Sequence, residues 1–372
     1  MDHFDVVIGG GGPAGGAAAL TLAKLGRRVL LANVGARRRV RAGESFAAAA
    51  KPLLADLGVM AAFEQDRHLA AYGNVSLWGT NEPHATASLH ELQGCSYQLD
   101  RDAFDTMLLD AAKAAGATVS DNSHAALLDA RTEGAHEVEL SSAGEFAYVS
   151  CDWLLDATGR PAALSRRLGA RRRRIDRLVA FQARLVPAAH TDCDASPIVE
   201  AARLGWWYST LLPGGERLVC FFTDADLAHD TGLHSATGFM AALEGTCVIA
   251  SLVRRHGYSC REQPRGTDAS TAWLDVAAGP RWLAIGEAAV SFDPLSARGV
   301  ASALHAGMRA AHAVHAALGG NARAIGLHLL HQRAIVCNYL HQVRDVYSWE
   351  RRWPRSDFWR RRHQFQFQET HQ

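Results

Sequence analysis

Two sets of residues in this chain have the types and spacing needed to hold a phosphate-bearing redox cofactor. The first is Asp5-Val-Val-Ile-Gly9-Gly-Gly-Gly12-Pro-Ala-Gly15-Gly near the N-terminus. Gly10, Gly12 and Gly15 stand in the G-x-G-x-x-G pattern. Gly10 allows a tight turn, Gly12 lets the backbone approach a pyrophosphate, and Gly15 lets a helix pack against a strand. The anion would then rest on the free N–H groups at the N-terminus of the helix that follows, where the helix dipole favours it. The second set is Gly286-Glu-Ala-Ala-Val-Ser-Phe-Asp293-Pro-Leu-Ser-Ala-Arg-Gly299. A strand, a loop and a helix starting near Val300 would aim backbone N–H groups at the edge of an anionic ring. Asp293 or Glu287 could accept from a ribityl hydroxyl. Either segment alone is ambiguous. Together they describe a chain folded around FAD, gripped from both ends.

Other residues extend this set. Arg101 opens a helix after Asp100 and could pair with the pyrophosphate, although a first-turn arginine opposes the helix dipole. Arg41, Glu44 and Ser45 fall where they could line the flavin edge. Asp156 ends a strand, where sites in α/β folds usually lie, but it also reads as a turn cap. Asn33 stands where an acidic ribose ligand is expected, and its amide can bond a hydroxyl without charge assistance. The candidate catalytic residues are therefore Asp293, Pro294 and Glu44. The candidate cofactor contacts are Gly10, Gly12, Pro13, Ala14, Gly15, Asn33, Arg41, Ser45, Arg101, Asp156, Gly286, Glu287 and Gly299.

The elements that must position these residues are legible in part. Asp5–Ile8 reads as a buried parallel strand, Ala17–Val29 as a helix of small residues, and Val29–Ala32 as the second strand. Arg101–Ala115 reads as a helix capped by Asp100. Residues 117–155 read as a β-meander ending in the apolar strand Trp153–Leu155. Leu178–Leu185, Gly205–Leu212 and Leu218–Phe222 predict a second sheet covering the site. Helices follow over Val300–Ala317 and roughly Ala322–Glu350. The expected architecture is α/β: a three-layer ββα Rossmann-like FAD domain (1–75, 99–175, 266–320) interleaved with a β-sheet substrate domain (76–98, 176–265). An aromatic and basic helical segment (321–372) closes it.

With 372 residues, 48% of them hydrophobic, the chain can build a large core and two domains. A net charge of +1 gives no case for nucleic acid. Seven scattered cysteines without a C-x-x-C pair argue for reduced thiols in a cytoplasm, and against iron–sulfur or structural zinc sites. The fold starts at residue 4, leaving no room for a signal peptide, and no run of 18 apolar residues predicts a membrane span. Trp206-Trp207-Tyr208 and the tail residues Tyr339, Tyr347, Trp349, Trp353, Phe358 and Trp359 could bind a flat substrate or a protein, or could be core.

These motifs resemble the p-hydroxybenzoate hydroxylase-type flavoproteins, which include flavin-dependent halogenases and geranylgeranyl reductases. The matches run from Gly10-x-Gly12-x-x-Gly15 through Gly43-Glu44-Ser45, Leu99-Asp-Arg101 and Asp156-Ala-Thr-Gly159 to Asp293-Pro-Leu-Ser. Glu287 replaces the usual aspartate and Ala297 a usual glycine. Tryptophan halogenases carry a lysine after the second strand block and a Trp-x-Trp-x-Ile-Pro segment. This chain has no lysine between Lys51 and Lys113 and spaces Trp206-Trp207 differently, so halogenation is disfavoured. The tail, Tyr347-Ser-Trp-Glu350 through Phe358-Trp-Arg-Arg-Arg362, resembles the LodB-like and GoxB-like branch. That resemblance implies oxygenation of a tryptophan within the precursor of a quinone-bearing oxidase, with oxygen as co-substrate. No second dinucleotide fingerprint is present, so NAD(P)H, if used, would bind transiently. Three alternatives predict different partners: a hydroxylase of a small aromatic, a prenyl reductase, and a flavin-binding maturation chaperone without activity.

Overall fold

The computed structural model describes residues 1–35, 44–87, 93–129, 134–189, 191–229 and 231–364. Five parallel strands form the centre of the first sheet, in the order Trp282–Ala284, Glu145–Asp156, Asp2–Gly9, Val29–Asn33 and Thr118–Asp121. Their apolar runs are continuous because both faces are covered. Val6, Ile8, Leu31 and Leu155 pack with helices Pro13–Lys24, Arg101–Ala114 and Gly299–Leu318. Val7, Leu30 and Leu154 pack the other way, against Leu127, Val138 and Leu140 of two antiparallel strands. This is the expected three-layer arrangement.

The two glycine segments meet because Trp282–Ala284 joins this sheet in parallel, with Leu283 opposite Leu155. Helix Gly299–Leu318 then lies along helix Pro13–Lys24. Gly307 permits the approach: a Cβ there would stand 2.2 Å from the carbonyl oxygen of Ala14.

Three local expectations need correction. The first helix begins at Pro13 and ends at Lys24, earlier than its apolar periodicity predicts. Proline at the first turn loses no helical hydrogen bond, so the helix can start there. Thr118–Asp121 does not belong to the meander; it pairs in parallel with Val29–Asn33. The closing strand Trp153–Leu155 is not separate from the meander strand before it: both belong to Glu145–Asp156, whose polar Ser150 and Asp152 disguise its continuity.

The second large sheet is built around Leu178–Val186, Arg217–Asp224, Gly205–Leu211 and Ile198–Ala202. Gly73–Leu77 adds to it in parallel beside Ile198–Ala202, so a boundary after residue 75 would cut a strand. Side chains alternate between its faces. Phe181, Leu185, Trp207 and Phe221 pack under helices Ala236–Leu243 and Val248–Arg255. Ala180, Trp206, Cys220 and Phe222 face the other way, with Tyr347, Phe358 and Trp359 of the tail.

The tail helices Ala324–Trp349 and Asp357–His363 thereby form part of the core. Trp206 stacks on Phe222 at 3.9 Å, and Trp78 meets Trp359 edge-on at 5.3 Å. Arg361 and Arg362 both reach the buried Asp224, at 2.8 and 2.9 Å. Among the named tail aromatics Trp349 is the outlier, 63% exposed. Among the described residues no single helix is long and apolar enough to cross a membrane.

Candidate active site

The turn after the first strand is shaped by its glycines. Gly10 has a φ of +113°, and a Cβ there would lie 2.2 Å from the Ala157 carbonyl oxygen. Side chains at this turn would separate it from the neighbouring strand. Gly12 is the N-cap of the first helix and brings no capping side chain. A Cβ on Gly12 would meet nothing within 4 Å. The helix therefore presents uncapped N–H groups to open space, as an anion site requires. Asn33 stands beside this turn; its amide donates to Asp121 at 3.1 Å and accepts from Gly35 at 3.2 Å.

A cavity of about 340 Å³ lies between this framework and the second sheet. One wall carries Gly286, Glu287, Pro294 and Gly299. The facing wall carries Ala180, Gln182, Trp206, Tyr208 and Cys220. A larger cavity of about 610 Å³ lies on the other side of Glu44 and Gln182, which line both, and includes Arg101. Arg101 Nη2 lies 3.4 Å from both carboxylate oxygens of Asp105. Ser45 bonds the Tyr208 hydroxyl at 2.7 Å and the Gln98 side-chain amide oxygen at 2.8 Å, tying a small sheet of Ser45–Phe46, Ser96–Gln98 and Leu69–Ala71 to the second large sheet beside the first cavity. Arg41 and Gly43 lie outside the described residues.

Gln182 is one buried polar side chain that this arrangement leaves open. It is 5% exposed, and among the described residues neither its amide nitrogen nor its amide oxygen has a hydrogen-bond partner. A buried amide without partners costs about 1–3 kcal/mol, so such groups mark places that a water or a ligand completes.

Two carboxylates expected at the cofactor also make hydrogen bonds within the protein. Asp156 accepts from Thr158 N, Thr158 Oγ1 and Ser165 N at 2.9, 2.6 and 2.7 Å. It is a turn and helix cap. Asp293 accepts from Leu295 N at 2.9 Å and from the Tyr347 hydroxyl at 2.7 Å, while its own N–H donates to the Tyr339 hydroxyl at 2.7 Å. The Asp-Pro-Leu-Ser loop is thus held from behind by the tail through Asp293. Burial, with the nearby Asp176 carboxylate, pushes the Asp293 pKa up to about 6. Glu287 remains half-exposed at the cavity rim, 3.6 Å from Arg160 Nε.

Comparison with known proteins places this geometry. The profile of the FAD binding domain family matches residues 3–210. The chain belongs to this FAD-binding family. It is 31% identical over 98% of both chains to LodB of Marinomonas mediterranea, provisionally named an FAD-dependent oxidoreductase. Among solved structures it superposes on the myxobacterial chondrochloren halogenase CndH with a TM-score of 0.87, at 20% identity over 100% of this chain and 87% of that one. It superposes on the peptidyl tryptophan dihydroxylase QhpG, essential for tryptophylquinone cofactor biogenesis, with a TM-score of 0.76, at 24% identity over 97% and 78%. The protein is an FAD-dependent oxidoreductase of this flavoprotein superfamily.

The residues present fit FAD. The uncapped N-terminus at Gly12–Gly15 would hold the pyrophosphate. Gly286, Pro294 and Gly299 form a wall with little side-chain bulk, against which the flavin ring system of this family would lie. The N-terminus of helix Gly299–Leu318 also lacks a side-chain cap, and a Cβ on Gly299 would meet nothing within 4 Å. The site also contains two residues that the sequence did not single out for it, Gln182 and Cys220; Tyr208, Tyr339 and Tyr347 are among the aromatics named above as binding or core residues. On the strands, the available signal was two-residue alternation: Ala180 and Gln182 share one face, as do Trp206 and Tyr208.

Proposed function

We propose that this protein is an FAD-dependent monooxygenase that oxygenates the indole ring of a tryptophan within a precursor polypeptide, as part of quinone-cofactor maturation. The observation that carries this reading is the cavity itself. It has an aromatic wall, a flavin-motif wall and one buried amide, Gln182, with an unfilled donor and acceptor. An indole brings a planar apolar face and a single N–H donor, which suits that lining. The full-length similarity to LodB and the shared fold with a peptidyl tryptophan dihydroxylase support it.

Bound FAD, reduced by an electron donor and met by oxygen, supplies an electrophilic oxygen atom. The chain supplies position and dryness. Trp206, Phe222 and Ala180 exclude water from one side of the ring. Gln182 would accept the indole N–H and fix which edge is presented. Tyr208, held by Ser45, sets the side wall. Tyr347 and Tyr339 hold the Asp293 loop against the flavin wall. Burial raises the Tyr208 hydroxyl and the Cys220 thiol well above their ordinary values, so both stay protonated and uncharged. No side chain need act as a nucleophile.

Halogenation has weaker support despite the close superposition on a halogenase. Its resemblance implies a lysine at the site. Lys24, Lys51 and Lys113 instead bond Leu57 O, Gln93 O and Asp121, away from the cavity.

The test supplies the FAD-loaded protein with a chemical reductant, ¹⁸O₂ and a tryptophan-bearing peptide, then reads the peptide by mass. Labelled oxygen on the tryptophan is the expected result. Reoxidation of the flavin with an unchanged peptide, free tryptophan and simple phenols alike would remove the monooxygenase reading.

A further inference from the structure

The first cavity reaches the surface between the two longest helices. Its inner end is walled by buried Trp206 and Cys220. Its outer end is lined by Arg309 and His331, both exposed, and by Ile335, which is 36% exposed. The mouth therefore lies where helices Gly299–Leu318 and Ala324–Trp349 run side by side. His328 stands just inside it, 7% exposed, with Nδ1 unpartnered among the described residues.

The surface around this mouth has two properties that point to a partner. Helix Ala324–Trp349 buries one stripe, including Ile325, Leu329, Leu340 and Tyr347 against the core. It turns a second stripe outward, at helical spacing: Leu327, Leu330, His331, Ala334 and Ile335. Leu327 and Leu330 are 62% and 64% exposed. Exposed leucines aligned in a row beside a cavity mouth differ from the scattered apolar residues of an ordinary surface. The second property is charge. From Pro294 to Arg344 the chain has no acidic residue, against five arginines and six histidines. A polypeptide with carboxylates would meet no repulsion from either long helix up to Arg344, and with apolar side chains it would cover the leucines.

We infer that this face docks the protein substrate through an acidic, apolar segment, which delivers the target ring into the mouth between the helices. The inference rests on the polypeptide-substrate reading above. Carboxylates of the segment meet Arg309 and Arg323, its apolar side chains cover Leu327 and Leu330, and the tryptophan passes His331 and His328. A small free aromatic would need none of this surface. The continuity of exposed stripe and cavity lining at His331 and Ile335 favours a substrate over a second copy of the chain.

The test uses the FAD-loaded full chain and two synthetic peptides, each with one tryptophan and several leucines. One carries aspartates and glutamates; the other carries lysines in their place. Fluorescence anisotropy should show the acidic peptide bound at least about tenfold more tightly, with affinity falling as salt rises. Leu327→Ser with Leu330→Ser, and separately Arg309→Glu with Arg323→Glu, should each weaken it by about fivefold or more. Unchanged FAD content and melting temperature show that these surface variants fold. Equal binding of the two peptides, unchanged binding by both variants, or a dimer that the leucine variant dissolves would overturn the inference. Product mass separates the two claims. Selective binding without labelled oxygen on the peptide supports docking and counts against the oxygenase reading. Labelled oxygen on free tryptophan, with the acidic peptide unbound, does the reverse.

Discussion

Gln182 and Asp293 are both buried polar side chains lining the same cavity from facing walls, yet their environments make opposite predictions. Gln182 has no partner among the described residues, so its cost is paid until a ligand arrives. Gln182→Leu should therefore stabilise the ligand-free protein, by about 1 kcal/mol, while lowering oxygenation of a tryptophan peptide by about tenfold or more. Chemical denaturation and product mass read the two effects; a variant that loses stability and keeps full activity would assign the amide to packing. Asp293 is fully partnered but desolvated, with its pKa at about 6 against the ordinary 3.8. The folded state thus holds this proton more tightly than the unfolded chain does. The resulting stability is fully present below about pH 4 and is lost as pH rises through about 6. Asp176, raised by its own burial, acts in the same direction. Asp293→Asn should lose less stability than the parent protein between about pH 4 and pH 7. Urea titrations across that range would show parallel curves if Asp293 were an ordinary carboxylate.

At the scale of elements, the site depends on how closely two helices approach and on what braces one loop. Gly307 lets helix Gly299–Leu318 touch the backbone at Ala14. Gly307→Val would drive both apart, with a cost of about 3 kcal/mol or more, and should reduce FAD retention because both helix N-termini move. Flavin absorbance after gel filtration measures this directly. The brace is Tyr347, which bonds Asp293 and accepts from Trp206 Nε1 at 3.1 Å. Tyr347→Phe leaves a buried carboxylate and an indole N–H short of partners, for a loss of about 1–3 kcal/mol. Its flavin spectrum should also shift, since the Asp-Pro-Leu-Ser loop is no longer held. A stability loss with an unaltered spectrum would mean that the loop stands without the tail.

For the whole molecule, the tail joins the two sheets by filling the space beside the second one. Trp359 bonds Ala202 O at 2.9 Å, and Arg362 lies over Phe358 while reaching Asp224. Removing residues 324–372 would expose Trp206, Phe222 and Cys220 and open the cavity on one side. The shortened chain should aggregate or lose FAD on purification, and limited proteolysis of the intact protein should not release a stable core lacking the tail. A soluble, flavin-bearing fragment ending near residue 320 would show that the tail is an accessory.

The sequence by itself determined the cofactor framework. Gly10, Gly12 and Gly15 impose backbone constraints that are local, and the flanking apolar runs and Asp100 cap follow from local rules as well. The alternation in 178–222 likewise specifies a sheet with two different faces. Only the tertiary structure decided which polar residues remain for chemistry. Asp156 and Asp293 carry motif positions, yet their oxygens are filled by Thr158, Ser165, Leu295 and Tyr347. Gln182 belongs to no motif, yet it faces the cavity unfilled. The physical reason is that hydrogen-bond satisfaction is a property of what surrounds an atom. The partners that decide it here include tail residues such as Tyr347, more than fifty positions from Asp293, which no local spacing reveals.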